Sequence, residues 1–147
     1  DFKYDVRQDR VVFLVKNRLN HRIVGAVGRA LNKNEFPKWF MYGSKDVPFK
    51  CGDCEDVVIV EDCPSACAVS NVLTGIAIMG TSLKSSHFEH LKPYKNLYVC
   101  LDRDATSKSY DMAKDLRSSG FDNVIVKPIE DDLKYYNTDQ IRSMFYE

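Results

Sequence analysis

An unbroken run of four apolar, mostly β-branched residues, VVIV at 57–60, most constrains the fold of this chain. A short apolar run between turn signals predicts a strand that is buried on both faces, as in a parallel sheet. The run leads directly into two acids, Glu61 and Asp62. Ligands of open parallel sheets bind beyond the carboxyl ends of the strands. The position of Glu61 therefore predicts a functional carboxylate.

A second apolar strand, NLYVCLDRD at 96–104, ends in the same way, in Asp102 and Asp104. If this segment stays extended, alternation places the two carboxylates on one side and points Arg103 away. Mg²⁺ prefers a few carboxylates together with water and substrate phosphates. Glu61, Asp102 and Asp104 therefore predict a Mg²⁺ (or Mn²⁺) site at one edge of the sheet.

The order of the predicted elements indicates an α/β chain in two parts. Strands and helices alternate after residue 56, with helices expected near 64–73, 85–91, 106–118 and 138–146, which is typical of βαβ units and a parallel sheet. Before it, RVVFLVK and RIVGAVGRAL flank a polar turn and predict a β-hairpin, followed by a short aromatic strand. We expect a β-rich N-terminal subdomain over residues 1–55 and a parallel sheet flanked by helices over 56–147.

Positive and negative residues are unevenly distributed between the two parts, although the formal net charge is zero. Residues 1–50 carry 11 lysines and arginines against 5 acids, and residues 51–147 carry 10 against 16. Basic surface attracts phosphate backbones and clustered acids attract hard cations. The asymmetry favours a nucleic-acid-binding first part, with random scatter over two solvated faces as the alternative.

The cysteines at 51, 54, 63 and 67 have a spacing that suggests zinc. The predicted strand 57–61 lies inside that spacing and would carry Cys63 away from Cys54, so zinc is the less favoured interpretation. His87 and His90 are interpreted as solvent-facing. No apolar run approaches the roughly 20 residues of a membrane helix, and the charged start has no signal-peptide pattern. We therefore expect no membrane association and a cytoplasmic protein, or a fragment of one, since the sequence does not begin with Met.

The order V-I-V-E, G-I-A-I-M-G-T, L-Y-V-C-L-D-R-D, each followed by a predicted helix, resembles the Toprim domain over about residues 56–132. The preceding RVVFLVKNRLNHRIVGAVGRAL and PKW are similar to the segment before Toprim in DnaG-type primase cores. The pieces ED-x-x-SA, GTSL, DRDAT and DLKYYNTDQI look most like the phage-encoded branch. The resemblance implies a Toprim-like sheet and, for a phage protein, the host cytoplasm.

The resemblance also implies roles for individual residues. Glu61 matches the Toprim glutamate, which serves as an acid, a base or a metal ligand, and Asp102 with Asp104 matches the metal-binding D-x-D. Asp132 matches a further acid of the primase site. Arg29 and Lys38 match basic residues near nucleotide and template. Apart from the resemblance, Lys108 lies close enough after the D-x-D to reach a triphosphate, and is about as well explained as a helix-surface lysine.

Three positions depart from the family pattern. Asp62 stands where glycine usually follows the glutamate, Ser65 where bacterial primases carry an acid, and Ser107 where D-x-D-x-x-G has glycine. These departures bear on the number of metal ions and on the strength of any activity.

The function implied by the resemblance is metal-dependent nucleotidyl transfer, in which RNA primers are made on a single-stranded DNA template from nucleoside triphosphates. A replicative helicase is a further implied partner. Two alternatives stay open on the residues alone. A Toprim nuclease would use the same acids to cut nucleic acid, and a non-catalytic module would keep only the binding of single strands.

Overall fold

The computed structural model describes residues 2–147, which form two compact units. The first unit ends at Phe49 and the second covers Lys50–Glu147. None of the helices described between residues 2 and 147 has the length and apolar character of a membrane span.

The first unit is an antiparallel sheet with the strand order β1-β2-β3-β4. Its core contains Phe13, whose ring packs edge-on against Phe2 and Phe49 and lies 6.3 Å from that of Trp39. The predicted hairpin is confirmed, and an outer strand that the sequence did not predict is added to it. The strands are β1 (Phe2–Asp5), β2 (Arg10–Lys16), β3 (Ile23–Ala30) and β4 (Trp39–Gly43).

The second unit is built on a five-stranded sheet with the order β5-β7-β6-β8-β9. Strand β6 lies at its centre and pairs in parallel with β7 and β8, and β8 pairs in parallel with β9. All four residues of β6 are completely buried, as the apolar run predicts. The strands are β5 (Phe49–Cys51), β6 (Val57–Val60), β7 (Thr74–Ala77), β8 (Leu97–Val99) and β9 (Val124–Val126).

Four α-helices and two 3₁₀ turns flank this sheet. The α/β fold class, with a parallel sheet preceded by a β-rich sheet, is confirmed. The core packs Ile59 and Ile76 of the sheet against helix residues such as Leu91, Met112 and Leu116. The elements are α1 (Cys63–Val69), α2 (Ser85–Leu91), α3 (Thr106–Ser118), α4 (Thr138–Tyr146) and the 3₁₀ turns Arg103–Ala105 and Leu133–Tyr135.

The helix α2 covers Ser85–Leu91, as the sequence predicts, and Lys84 is its N-cap. His87 is not solvent-facing: it is buried, and its Nδ1 accepts a hydrogen bond from the Lys84 N–H at 3.1 Å. A side chain that closes the first helical turn in this way replaces a serine cap, since the first N–H groups of a helix lack backbone partners.

Candidate functional site

The predicted acids follow the carboxyl ends of neighbouring parallel strands. Glu61 comes directly after β6, Asp102 comes after β8, and Asp132 comes after β9. Because β6, β8 and β9 run in parallel, these ends share one edge of the sheet. The central strand β6 therefore places Glu61 beside Asp102.

One hydrogen bond joins the residue after β6, Glu61, to Asp102, which follows β8. The backbone N–H of Asp102 donates to Glu61 Oε1 at 3.1 Å. Glu61 and Asp102 thus form a carboxyl pair at the edge of the sheet.

The environment of this pair disfavours two negative charges. Burial, and then the charge of Asp102, raises the pKa of Glu61 to about 7. Burial also raises the pKa of Asp102, with further contributions from the charges of Asp132 and Asp62. A carboxyl whose pKa is near neutrality, beside a second carboxyl, can exchange a proton or attract a cation under ordinary conditions.

Asp104 lies in a 3₁₀ turn and not in the extended segment that the sequence predicted. Asp102 is extended, but Arg103–Ala105 is a 3₁₀ turn, and the Ala105 N–H donates to the Asp102 carbonyl oxygen at 2.8 Å. The argument from strand alternation was therefore wrong. The exposed Asp104 is brought close by the turn, and its charge acts on both Glu61 and Asp102.

Asp132 lies on the outer side of this group. It begins the 3₁₀ turn Leu133–Tyr135, and its Oδ2 lies 3.7 Å from Lys134 Nζ. Its charge is the largest carboxylate contribution to the raised pKa of Asp102. The charges of Asp104 and Asp132 thus both act on Asp102, and the charge of Asp104 also acts on Glu61.

Asp62 and Ser65, two of the departures from the family pattern, have a structural explanation. Asp62 is the N-cap of α1, and its Oδ1 accepts a hydrogen bond from the Ser65 N–H at 3.0 Å. Pro64 occupies the first turn, where the missing N–H costs nothing. The segment D-C-P-S carries a capping signal that the sequence interpretation did not use. Because the charge of Asp62 also raises the pKa of Asp102, this residue belongs to the site's electrostatics.

Lys108 lies near a second turn of the same edge. Its Nζ is 3.2 Å from Thr81 Oγ1, in the segment that follows β7. The preceding Met79 has a φ of 57°, an uncommon conformation for a non-glycine residue. Lys108 is exposed and lies on α3, which begins right after the D-x-D. The structure therefore places the Lys108 ammonium group beside Thr81.

The donor chemistry of the edge fits a hard cation better than it fits zinc. Within residues 2–147, no three His, Cys, Asp or Glu side chains are grouped closely enough to hold an ion together. Structural zinc needs four such ligands. Mg²⁺ instead takes one or two carboxylates and completes its shell with water and phosphate oxygens. The Glu61–Asp102 pair meets that smaller requirement.

Arg29 and Lys38 are both in the first unit. The Arg29 guanidinium stacks over the Trp39 ring at 5.1 Å, and the Lys38 carbonyl oxygen accepts from the Ala30 N–H at 2.9 Å. Arg29 is therefore on β3, and Lys38 directly precedes β4 at the same end of the β3–β4 pair, with its side chain exposed. The buried Arg10 supports this region, since its guanidinium lies 5.6 Å from the Phe40 ring.

The fold and the site together define a class: an α/β domain with a pair of carboxyl groups at the carboxyl edge of a parallel sheet, preceded by an antiparallel β-unit. By sequence, the chain is similar to a DNA primase. It is 27% identical to the DNA primase of Legionella pneumophila over 71% of its own length, and spans about a fifth (21%) of that relative. No family model matches the sequence.

Comparison of the structure with solved structures also finds a primase. The chain is similar to the crystal structure of the zinc-binding and RNA polymerase domains of the Aquifex aeolicus primase, with a TM-score of 0.68 and 22% identity. The similarity covers 92% of this chain and 37% of the Aquifex chain. The predicted resemblance to a primase is thereby confirmed for sequence similarity and for fold.

Proposed function

We propose that this chain is part of a DNA primase catalytic core that carries out metal-dependent nucleotidyl transfer. Residues 1–55 would form its basic N-terminal subdomain and residues 56–147 its Toprim domain, of the phage-like branch. The observation that carries the proposal is the Glu61–Asp102 contact, with Asp104 and Asp132 in the same electrostatic group, on a fold shared with primase RNA polymerase domains.

In this proposal each acid acts at the edge of the sheet. Asp102 and Asp104, with Glu61 and Asp132, would hold Mg²⁺ or Mn²⁺. Bound there, such ions lower the barrier to attack by a 3′-hydroxyl and to departure of pyrophosphate. Glu61, whose pKa is about 7, is suited to hold or accept a proton near neutral pH. Positioning and electrostatics would supply most of the rate.

The basic residues would orient the polyanionic partners. Lys108, whose Nζ lies 3.2 Å from Thr81 Oγ1, would contact the phosphates of a nucleoside triphosphate. Arg29 and Lys38 would contact the backbone of a single-stranded DNA template. Such a protein would work in the cytoplasm, that of the host if it is phage-encoded, and a replicative helicase would be a natural partner.

The test is a primer-synthesis assay with the full chain, single-stranded DNA, labelled nucleoside triphosphates and Mg²⁺ or Mn²⁺. We expect metal-dependent oligonucleotides from the wild type and a loss of about a hundredfold or more in Glu61→Gln and Asp102→Asn. Asp111→Asn is the matched control, since Asp111 is an exposed acid on α3. Metal-dependent cleavage of the DNA without synthesis would contradict the proposal in favour of a nuclease, and unimpaired synthesis by Asp102→Asn would contradict the site.

A further inference from the structure

The loop 31–38, which joins β3 to β4 in the first unit, carries an aromatic side chain that lies almost entirely in water. This residue is Phe36, and its side chain is 90% exposed. Single exposed apolar residues are common on protein surfaces and need no special explanation. The exposure of Phe36 gains meaning from the backbone that holds it and from the charges around it.

Hydrogen bonds fix both ends of this loop to the sheet. The Ala30 N–H donates to the Lys38 carbonyl oxygen at 2.9 Å, and the Leu31 N–H donates to the Asp9 carbonyl oxygen at 3.0 Å. The buried Arg10 donates from Nη1 to the same Lys38 carbonyl oxygen at 3.5 Å. The exposed ring is therefore carried by a loop with anchored ends, at the end of the β3–β4 pair.

The residues on both sides of the ring are mainly basic. The segment from Arg29 to Lys38 contains three basic residues, the third being Lys33, and one acid, Glu35. Lys33 and Lys38 are exposed. The Glu35 carboxylate lies 4.0 Å from Arg10 Nη2, which partly balances its negative charge. The surroundings of the ring therefore attract phosphate groups.

The neighbouring aromatic rings at this end of the sheet are engaged in contacts within the unit. The Arg29 guanidinium lies over the Trp39 ring, 5.1 Å from its centroid. The Phe40 ring packs edge-on against that of Tyr42, with the centroids 4.9 Å apart. Phe36, by contrast, leaves most of its ring open to solvent. It is thus the ring of this group that a flat ligand can reach.

We propose that Phe36 is a base-stacking residue for single-stranded DNA, with one unpaired base on its ring and the adjacent phosphates against Lys33 and Lys38. Proteins that bind single strands combine a positively charged surface with aromatic rings on which bases stack. Every base has a π-face, so the contact would tolerate any sequence. The inference rests on the template binding proposed above and not on the nucleotidyl transfer.

The experiment measures equilibrium binding of the full chain to two end-labelled oligonucleotides of equal length by fluorescence anisotropy, without nucleotides. One oligonucleotide is a thymidine tract, and the other is an abasic tract that has the same phosphates and no bases. The variants are Phe36→Ala, Phe36→Leu and Phe36→Trp. The matched control is Leu19→Ala, since Leu19 is an 83% exposed apolar side chain in the turn between β2 and β3.

We expect Phe36→Ala and Phe36→Leu to bind the thymidine tract about fivefold or more weakly than the wild type, because the stacked base is lost. Their binding to the abasic tract should equal that of the wild type. Phe36→Trp, which keeps a ring, and Leu19→Ala should bind both tracts as the wild type does. An equal loss on both tracts, or no loss on the thymidine tract, would overturn this inference alone. A wild type that binds neither tract would contradict the template binding as well.

A second measurement uses the wild type only, so it does not depend on the folding of a variant. A thymidine tract in which 5-iodouracil replaces some of the bases forms covalent bonds on irradiation with aromatic side chains that contact the base. Mass spectrometry of the digested complex should place a cross-link on Phe36. Cross-links confined to other residues would overturn the proposal.

Discussion

Glu61 is the residue at which folding and proposed function conflict. It lies at the end of a fully buried strand, accepts the Asp102 N–H, and is close to other acids. Such a carboxyl is less stable when ionised than it would be in the unfolded chain. Residues of this kind are typical of functional sites, where a cation or substrate supplies the missing charge.

The raised pKa of Glu61 predicts how stability depends on pH. The folded protein retains a proton on Glu61 between its ordinary value of 4.5 and about 7, whereas the unfolded chain releases it. The native state then binds more protons, so the free energy of unfolding falls as pH rises through this window. In metal-free buffer at about pH 7.5, Glu61→Gln should therefore be more stable than the wild type. We expect on the order of 1 kcal/mol after allowing for solvent screening of this half-buried group.

Urea unfolding of both proteins in the presence of a chelator checks this prediction. The difference should shrink towards zero well below pH 4.5, where the wild-type carboxyl is protonated in both states. Glu89→Gln is the control, because Glu89 is exposed and lies 2.6 Å from Lys92. A stability difference that is the same at both pH values would contradict the assigned cause.

At the scale of elements, close packing of α1 on β7 holds the site's central strands in place. A Cβ added to Gly75 would lie 2.4 Å from the Ala66 carbonyl oxygen and 2.6 Å from its Cα. Both contacts are with backbone, which cannot move aside as a flexible side chain can. Only glycine therefore permits the observed approach of this helix to the sheet.

Gly75→Ala should lower the free energy of unfolding by about 2–3 kcal/mol, as overpacking of a well-packed core does. Gly80→Ala is the matched control, since nothing lies within 4 Å of a Cβ at Gly80. We expect the control to stay within about 0.5 kcal/mol of the wild type. Chemical denaturation of the three proteins measures the effect, and equal stability of the two variants would refute the packing argument.

The elements also show what the sequence could and could not predict. Helix Thr106–Ser118 was predicted at both ends, because Gly120, with a φ of 97°, follows it in the sequence. Strands β1 and β5 were missed, since each is short and adjoins turn residues that hide its pattern. The 3₁₀ turn after Asp102 was also missed, because the local sequence is as compatible with extended backbone as with a turn.

For the site, the apolar run at 57–60 was sufficient to place Glu61 at a strand end. The contact between Glu61 and the Asp102 N–H was not predictable, since it depends on β6 and β8 being neighbours in the sheet. Strand order is decided by the packing of the whole unit. The capping role of Asp62 could have been found from the spacing to Ser65 and from Pro64.

At the scale of the whole molecule, the chain combines a basic first half with an acidic second half, and each occupies largely its own compact unit. The proposed function assigns template binding to the first unit and chemistry to the second. Phosphate binding releases counterions, so each lost contact to a single strand should lower the salt dependence of binding.

The double variant Arg29→Ala, Lys38→Ala should bind single-stranded DNA more weakly than the wild type. The slope of the logarithm of the binding constant for single-stranded DNA against the logarithm of the salt concentration should be shallower by about 1 to 1.5, because two phosphate contacts are lost. Lys92→Ala is the control, because Lys92 is an exposed lysine paired with Glu89. Fluorescence anisotropy at several salt concentrations gives both numbers, and an unchanged slope would exclude these residues from the binding surface.

The central claim is that acids from neighbouring strands form one cation site, and Mn²⁺ binding tests it most directly. Calorimetric titration of Mn²⁺ in the presence of a nucleoside triphosphate analogue should show binding to the wild type and to Asp111→Asn. Asp102→Asn should weaken it by about tenfold or more, since Mg²⁺-type sites have few protein ligands and each carries much of the affinity. Equal Mn²⁺ affinity in the wild type and Asp102→Asn would contradict the account.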